Sequence, residues 1–335
     1  MSLISLLTRR QFTHLTTHHR FSSKATIPKI TIPKATQTLF KMPLETKATI
    51  TTFGGKLYKL SHPSTTTGTP MNLNLFVPPS ALSNNKSTPA PVLIYLSGLT
   101  CSPENCSEKG FFQHRASQLG LAIVYPDTSP RGLNIPGQND SWDFGEAAGF
   151  YLDATAEPWK DNYKMESYIT SELPEVLFDD PEYGKYLDRS RVSITGHSMG
   201  GHGALTLYLK HQEKYKSVSA FAPIANPTKC PWGEKAFKGY LAGGVDEGKK
   251  HDAVELLRSG IWKGGDLKAL VDVGTGDNFY KNGQLLPENL EEVVKEKGLE
   301  GVKVRYHEGY DHSYYFMSSF SGEHVEHAAK HLGLL

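Results

Sequence analysis

The chain has 335 residues, 38% of them hydrophobic and 21% charged, which are ordinary proportions for a globular protein. Lys and Arg number 36 against 35 acids, a net charge of +1, which excludes a strongly basic nucleic-acid binder and an acidic solvating tail. No run reaches the roughly 18 apolar residues of a membrane helix, and Cys101, Cys106 and Cys230 are too few for a disulfide framework, so the chain reads as a soluble protein of a reducing compartment.

The first 41 residues stand apart from the rest. They hold Arg9, Arg10, Arg20, Lys24, Lys29, Lys34 and Lys41, and no acid precedes Glu45. With dense Ser and Thr, this is the composition of a mitochondrial transit peptide. The plainer reading is a disordered extension without an address. No apolar stretch follows Arg9-Arg10, against a twin-arginine signal, and Leu3 to Leu7 is too short for a secretory core. Met42 offers an internal start whose product would stay in the cytosol. Residues 1–45 are therefore set aside as an extension, and 46–335 are expected to form one domain.

Within that domain, 47–60 and 71–77 alternate apolar and polar residues, as an antiparallel pair would. Short apolar runs without alternation follow at 92–96, 121–125, 192–195, 218–222, 269–273 and 302–306. Such runs suit strands covered on both faces of a parallel sheet. Helical spacing lies between them at 111–119, 163–178, 202–211, 287–297 and 323–332. The alternation predicts an α/β fold, a mostly parallel central sheet with helices on both faces.

Gly196-His197-Ser198-Met199-Gly200 is a G-x-S-x-G between a buried run and a helical one. By chance such a pattern arises in about one chain in five of this composition, so its setting matters more than the match. A strand–turn–helix here strains the backbone at Ser198 and raises its hydroxyl above the sheet. A serine hydroxyl is a weak nucleophile and needs a base on another loop. Of 14 histidines, His312 follows the last strand and the Gly309 turn, whereas His307 sits too near the strand. The acid that fixes the base's tautomer is expected at Asp277, just past the penultimate strand. Asp272, inside that strand, reads as structural or surface, and Asp311 is too close in sequence to His312. For the developing oxyanion, the backbone N–H of Met199 is one donor and that of Leu99, in the loop after 92–96, the second. Cys101 lies two residues beyond Leu99, near the site. It reads more as a packing residue than as a reactive thiol.

Further segments carry a resemblance. They are Leu96-Ser-Gly-Leu-Thr-Cys101, Pro126-Asp-Thr-Ser-Pro-Arg-Gly132, Ser141-Trp-Asp-Phe-Gly145, Ala148-Gly-Phe-Tyr151, Gly196 to Ala204, Cys230-Pro-Trp-Gly233 and Glu308 to Phe316. With them the chain resembles the S-formylglutathione hydrolases, or esterase D family, over about residues 46–335. The resemblance implies an α/β-hydrolase that converts S-formylglutathione to glutathione and formate. It implies the same three residues, Ser198, Asp277 and His312, and a cytosolic enzyme, often a homodimer, in formaldehyde detoxification. The basic extension departs from the family and sets a mitochondrial location for the full-length form against the cytosolic one.

The substrate pocket is less legible. Trp142, Phe144, Phe150, Tyr151 and Trp159 either wall an acyl pocket or pack a loop. Trp232 sits where loops meet, and with Cys101 and Trp142 completes the expected pocket. Glutathione carries two carboxylates, for which Arg131, Lys160 and Lys164 are candidate cations, although a solvated surface role suits each. No metal spacing, phosphate loop or cofactor motif is present, and neither nucleic acid nor membrane is expected as a partner. A broad short-chain carboxylesterase or acyltransferase is the alternative activity. A catalytically dead binding module is disfavoured, because it would be expected to lose one of the three residues.

Overall fold

The computed structural model describes residues 44–83 and 88–335. The extension at 1–41 and the start at Met42 lie outside the described residues.

Nine strands form one sheet in the order β1-β2-β3-β5-β4-β6-β7-β8-β9. They are β1 (Glu45–Thr52), β2 (Gly55–Pro63), β3 (Pro70–Val77), β4 (Ala90–Leu96), β5 (Ala122–Pro126), β6 (Leu187–His197), β7 (Val218–Phe221), β8 (Ala269–Gly274) and β9 (Val302–His307). The first three are antiparallel, β3 meets β5 antiparallel, and the six strands from β5 to β9 run parallel. Every residue of β4, β5 and β8 is buried, so both faces of the sheet centre are covered.

The sequence reads 47–60 as a single strand. The chain instead turns at Phe53-Gly54, both in the left-handed region, and folds back as a hairpin. The edge strand β1 is almost wholly exposed and carries Glu45, Lys47 and several threonines, a polar edge that discourages pairing with other chains.

Helices Phe112–Leu119, Met199–Lys210 and Pro287–Glu296 fall where periodicity places them. The stretch 165–178 is helical too. A π-helical turn, Tyr168–Glu172, precedes Pro174, which cannot donate to a regular ladder. The last helix, Tyr314–His331, starts nine residues before the expected 323. Its first turns bury Phe316 and Met317, while Ser313 caps it by accepting from Tyr315 N–H at 3.2 Å. No helix among the described residues is long and apolar enough to cross a membrane.

The strand order decides where a site can form. From β4 the chain moves outward to β5, then returns to lay β6 on the other side of β4. Connections leaving β4 and β6 therefore part at their carboxyl ends, and a crevice opens there. Leu96, the last residue of β4, is in register with Gly196, the last but one of β6.

Candidate active site

Ser198 is the residue between β6 and helix Met199–Lys210, with φ 55° and ψ −121°. Side chains rarely adopt that backbone, and holding it costs about 1–3 kcal/mol. Neighbours on three segments hold it. Ser198 N–H donates to Phe221 O at 2.9 Å, and Ser198 O accepts from His202 N–H at 3.0 Å and Ile224 N–H at 3.3 Å. The flanking glycines are required by space. A Cβ on Gly196 would stand 2.4 Å from Gly200 O, and one on Gly200 only 2.0 Å from Leu96 O.

Asp277 ends the loop after β8 and is fully buried. Its two oxygens are divided. Oδ1 caps the short helix Asn278–Lys281, accepting from Phe279 N–H at 2.7 Å and Tyr280 N–H at 3.3 Å. Oδ2 accepts from His312 Nδ1 at 2.5 Å. A carboxylate can only accept there, so Nδ1 carries the hydrogen and Nε2 is the basic nitrogen. The two loops are also laced by backbone: Thr275 N–H to His307 O at 2.9 Å and Gly276 N–H to Tyr310 O at 2.8 Å. Tyr314, two residues past His312, stands edge-on to His197 with ring centres 5.3 Å apart, beside the Ser198 turn.

The loop after β4 passes close to the same turn. A Cβ on Gly98 would lie 2.7 Å from His197 Nε2 and 3.1 Å from Ser198 Cβ. Among the described residues, the N–H groups of Leu99 and Met199 meet no protein acceptor. Cys101 is buried, with Sγ 3.8 Å from Tyr314 Oη and 4.0 Å from His197 Nε2. Burial pushes its thiol pKa up, which disfavours the thiolate and suits a packing role.

The other histidines near the turn are unsuited to carry protons. Burial drives both His197 and His202 down to about 3, so both stay neutral near pH 7. His197 accepts or donates through Nδ1 to Tyr95 Oη at 2.8 Å, and His202 Nε2 donates to Phe150 O at 3.1 Å. Asp272 is structural. Arg305 forks onto it at 2.6 and 2.5 Å, and His324 Nε2 donates at 3.2 Å. His307 Nε2 lies 3.2 Å from the same carboxylate, without hydrogen-bond geometry.

Of the expected pocket residues, Trp142 and Trp232 pack edge-on at 5.6 Å. Trp232 meets Phe279 at 4.7 Å, and Phe279 stands edge-on to His312 at 4.8 Å. An aromatic row thus runs from the surface to His312. Sequence reading missed Phe279; its place two residues after Asp277 was the available signal. The remaining aromatics of the stretch pack the loop. Phe144 and Trp159 surround Tyr240, and Tyr151 lies beneath the loop after β4, donating Oη–H to Ser97 O at 2.8 Å. The three candidate cations stand in different settings. Lys160 pairs with Glu157 at the surface, and Lys164 precedes the helical stretch without an ion pair among the described residues. Arg131 is committed to Asp127 at 2.8 Å. It borders a polar groove of about 340 Å³ that opens beside Thr100 and Ala147 and is lined also by Gln138, Trp142 and Glu146. No group of three His, Cys, Asp or Glu among the described residues is placed to hold a metal.

Comparison with known proteins agrees with this architecture. The Esterase family matches residues 64–328. The chain is 47% identical to S-formylglutathione hydrolase of Mus musculus over 280 residues, covering 84% of this chain and 95% of the mouse protein. It is 49% identical to the Arabidopsis thaliana enzyme of the same name, at the same coverage. The solved S-formylglutathione hydrolase of Agrobacterium tumefaciens is 42% identical, with a TM-score of 0.80 over 87% of this chain and 100% of that one. On identity, coverage and fold together, the chain belongs to the S-formylglutathione hydrolase family of esterases.

Proposed function

We propose that the protein hydrolyses S-formylglutathione to glutathione and formate, with Ser198 as nucleophile, His312 as base and Asp277 as its orienting acid. The observation that carries this reading is the Asp277–His312 hydrogen bond at the same sheet end as the strained Ser198 turn. Ser198 Oγ bonds to the formyl carbon while its proton passes to His312 Nε2. The carbonyl oxygen takes up negative charge, facing the N–H groups of Leu99 and Met199. The carbon–sulfur bond then breaks, His312 returns the proton to the leaving sulfur, and a formyl ester remains on Ser198. A water repeats the sequence: His312 takes its proton, the ester bond breaks, Ser198 is reprotonated and formate departs. Asp277 fixes the imidazole tautomer throughout and steadies the imidazolium.

The aromatic row from Trp142 to Phe279 and the groove beside Thr100 support a leaving group larger than a simple alcohol. Purified protein should show a much higher kcat/KM for S-formylglutathione than for 4-methylumbelliferyl acetate. Equal values would favour the broad carboxylesterase instead. Ser198→Ala should fold normally and lose about 10⁴-fold or more in kcat. Retention of a hundredth of the activity would remove the serine mechanism.

The cytoplasm as location and the homodimer as assembly rest on the family resemblance. A reporter fused to residues 1–41 that enters mitochondria would move the full-length form there, and light scattering on purified protein reads the assembly.

A further inference from the structure

The loop that carries Leu99 is tied down at its far end by groups that the reaction does not use. The Cys101 carbonyl, two residues beyond Leu99, accepts from Thr128 Oγ1 at 2.6 Å and from Arg131 Nη2 at 3.0 Å. Arg131 is itself forked on Asp127, with Nε to Oδ2 at 2.8 Å and Nη2 to Oδ1 at 2.8 Å. The Asp127 carboxylate is buried and also accepts from Thr128 N–H at 2.7 Å. Asp127 directly follows β5, the parallel neighbour of β4, so the clamp is anchored on the strand beside the one that launches the loop.

The loop needs such a tie. Thr100 has φ 66°, and a β-branched residue in the left-handed region is strained. Its N–H donates to Ala147 O at 3.0 Å, and Ala147 N–H donates to Ser129 Oγ at 2.8 Å. The strained residue is thus held on one side by the 145–149 loop and on the other by the Cys101 carbonyl.

We infer that the Asp127–Arg131 pair is a positioning device for the oxyanion site, fixing the Leu99 N–H through the Cys101 carbonyl. This rests on the reading of Leu99 as a donor given above. The rival role for Arg131, capture of a glutathione carboxylate, fits its surroundings poorly. Asp127 neutralises it, and Glu146 stands 3.6 Å away, so two acids face one base. A lysine could not replace it. An ammonium lacks the planar fork that spans both carboxylate oxygens and still reaches the carbonyl.

The test is Arg131→Lys, assayed on S-formylglutathione and on 4-methylumbelliferyl acetate, with Thr128→Val as a milder second variant that leaves the ion pair intact. An oxyanion donor serves every acyl substrate. Arg131→Lys should therefore lose on the order of tenfold to a hundredfold in kcat on both substrates, with KM within about twofold. Thr128→Val should lose about threefold to tenfold on both. Affinity for a trifluoromethyl ketone, which forms a tetrahedral oxyanion adduct on the serine, should fall by the same factor as kcat/KM. A purely structural role would not produce that parallel. A rise in KM for the thioester alone, with kcat intact, would make Arg131 a substrate ligand and overturn the inference. So would an unchanged kcat in Thr128→Val together with unchanged ketone affinity. Failure of wild-type protein to cleave S-formylglutathione would remove the substrate reading, while the ester arm still decides the clamp.

Discussion

Two aspartates five residues apart, one in β8 and one just past it, are both fully buried and both meet histidine. Asp272 receives Arg305 through two hydrogen bonds and His324 through a third. Asp277 receives two helix N–H groups and His312. The first carboxylate has a formal cation beside it, so its charge is already compensated. The second faces only dipoles and an imidazole, so its charge remains to stabilise that imidazole when it takes up a proton. A buried Asp–His contact therefore says little by itself. What else touches the carboxylate decides whether the histidine can serve as a working base.

The largest effect should come from Asp277→Asn, which keeps the shape but offers His312 the wrong tautomer. We expect about 10⁴-fold loss of kcat with melting temperature within a few degrees. A loss below a hundredfold would mean that the carboxylate charge is not what matters there.

Asp272→Asn should behave in the opposite way. Breaking one partner of a buried ion pair costs about 3–5 kcal/mol, on the order of 10 °C in a domain of this size. Turnover of the folded fraction should stay within a few fold. The penalty should also depend on pH. Burial alone would raise the Asp272 pKa, yet hydrogen bonds from His324 and Arg305 hold it well below the ordinary value of 3.8. A group depressed on folding contributes stability above its unfolded pKa and loses it as pH falls through the folded one. The difference between wild type and Asp272→Asn should be full at pH 7 and shrink below about pH 4. A constant difference down to pH 3 would show that packing, not charge, is lost.

The smallest effect separates orientation by charge from orientation by contact. Phe279→Leu removes the ring beside His312 but not its carboxylate. A loss of about threefold in kcat is expected, the scale of one aromatic contact. No change would leave Asp277 as the sole guide of the imidazole.

Much of this arrangement could be read from chain order. Ser198, Asp277 and His312 each follow an apolar run, and the carboxyl ends of parallel strands face one way, so strand ends alone bring such residues to one side of the sheet. The β1–β2 turn was marked by Gly54-Gly55 and was overlooked because alternation continues on both sides of it. The early start of the last helix was hidden by aromatic and serine residues of middling helix propensity, which burial of Phe316 and Met317 overrides. Arg131 looked like a free surface cation because its partner four residues away is a contact of the folded loop, not of a helix face. Phe279 carries no periodic pattern; its one signal is its place two residues after Asp277, whose cap holds its N–H while the ring stands beside His312.

The crevice between β4 and β6 has a consequence for how the enzyme fails on heating. Ser198 and the Leu99 loop hang from adjacent central strands whose own hydrogen bonds set their spacing. They can separate only when the middle of the sheet opens, and there every residue of β4 is buried, so opening is costly. His312 hangs from β9, an edge strand paired on one side and only partly buried. Inactivation should therefore begin with His312 drifting from an intact Ser198 turn. Hydrogen exchange should show backbone amides of residues 309–312 opening well before those of β4 and β6. An early loss at β4 would reverse that order.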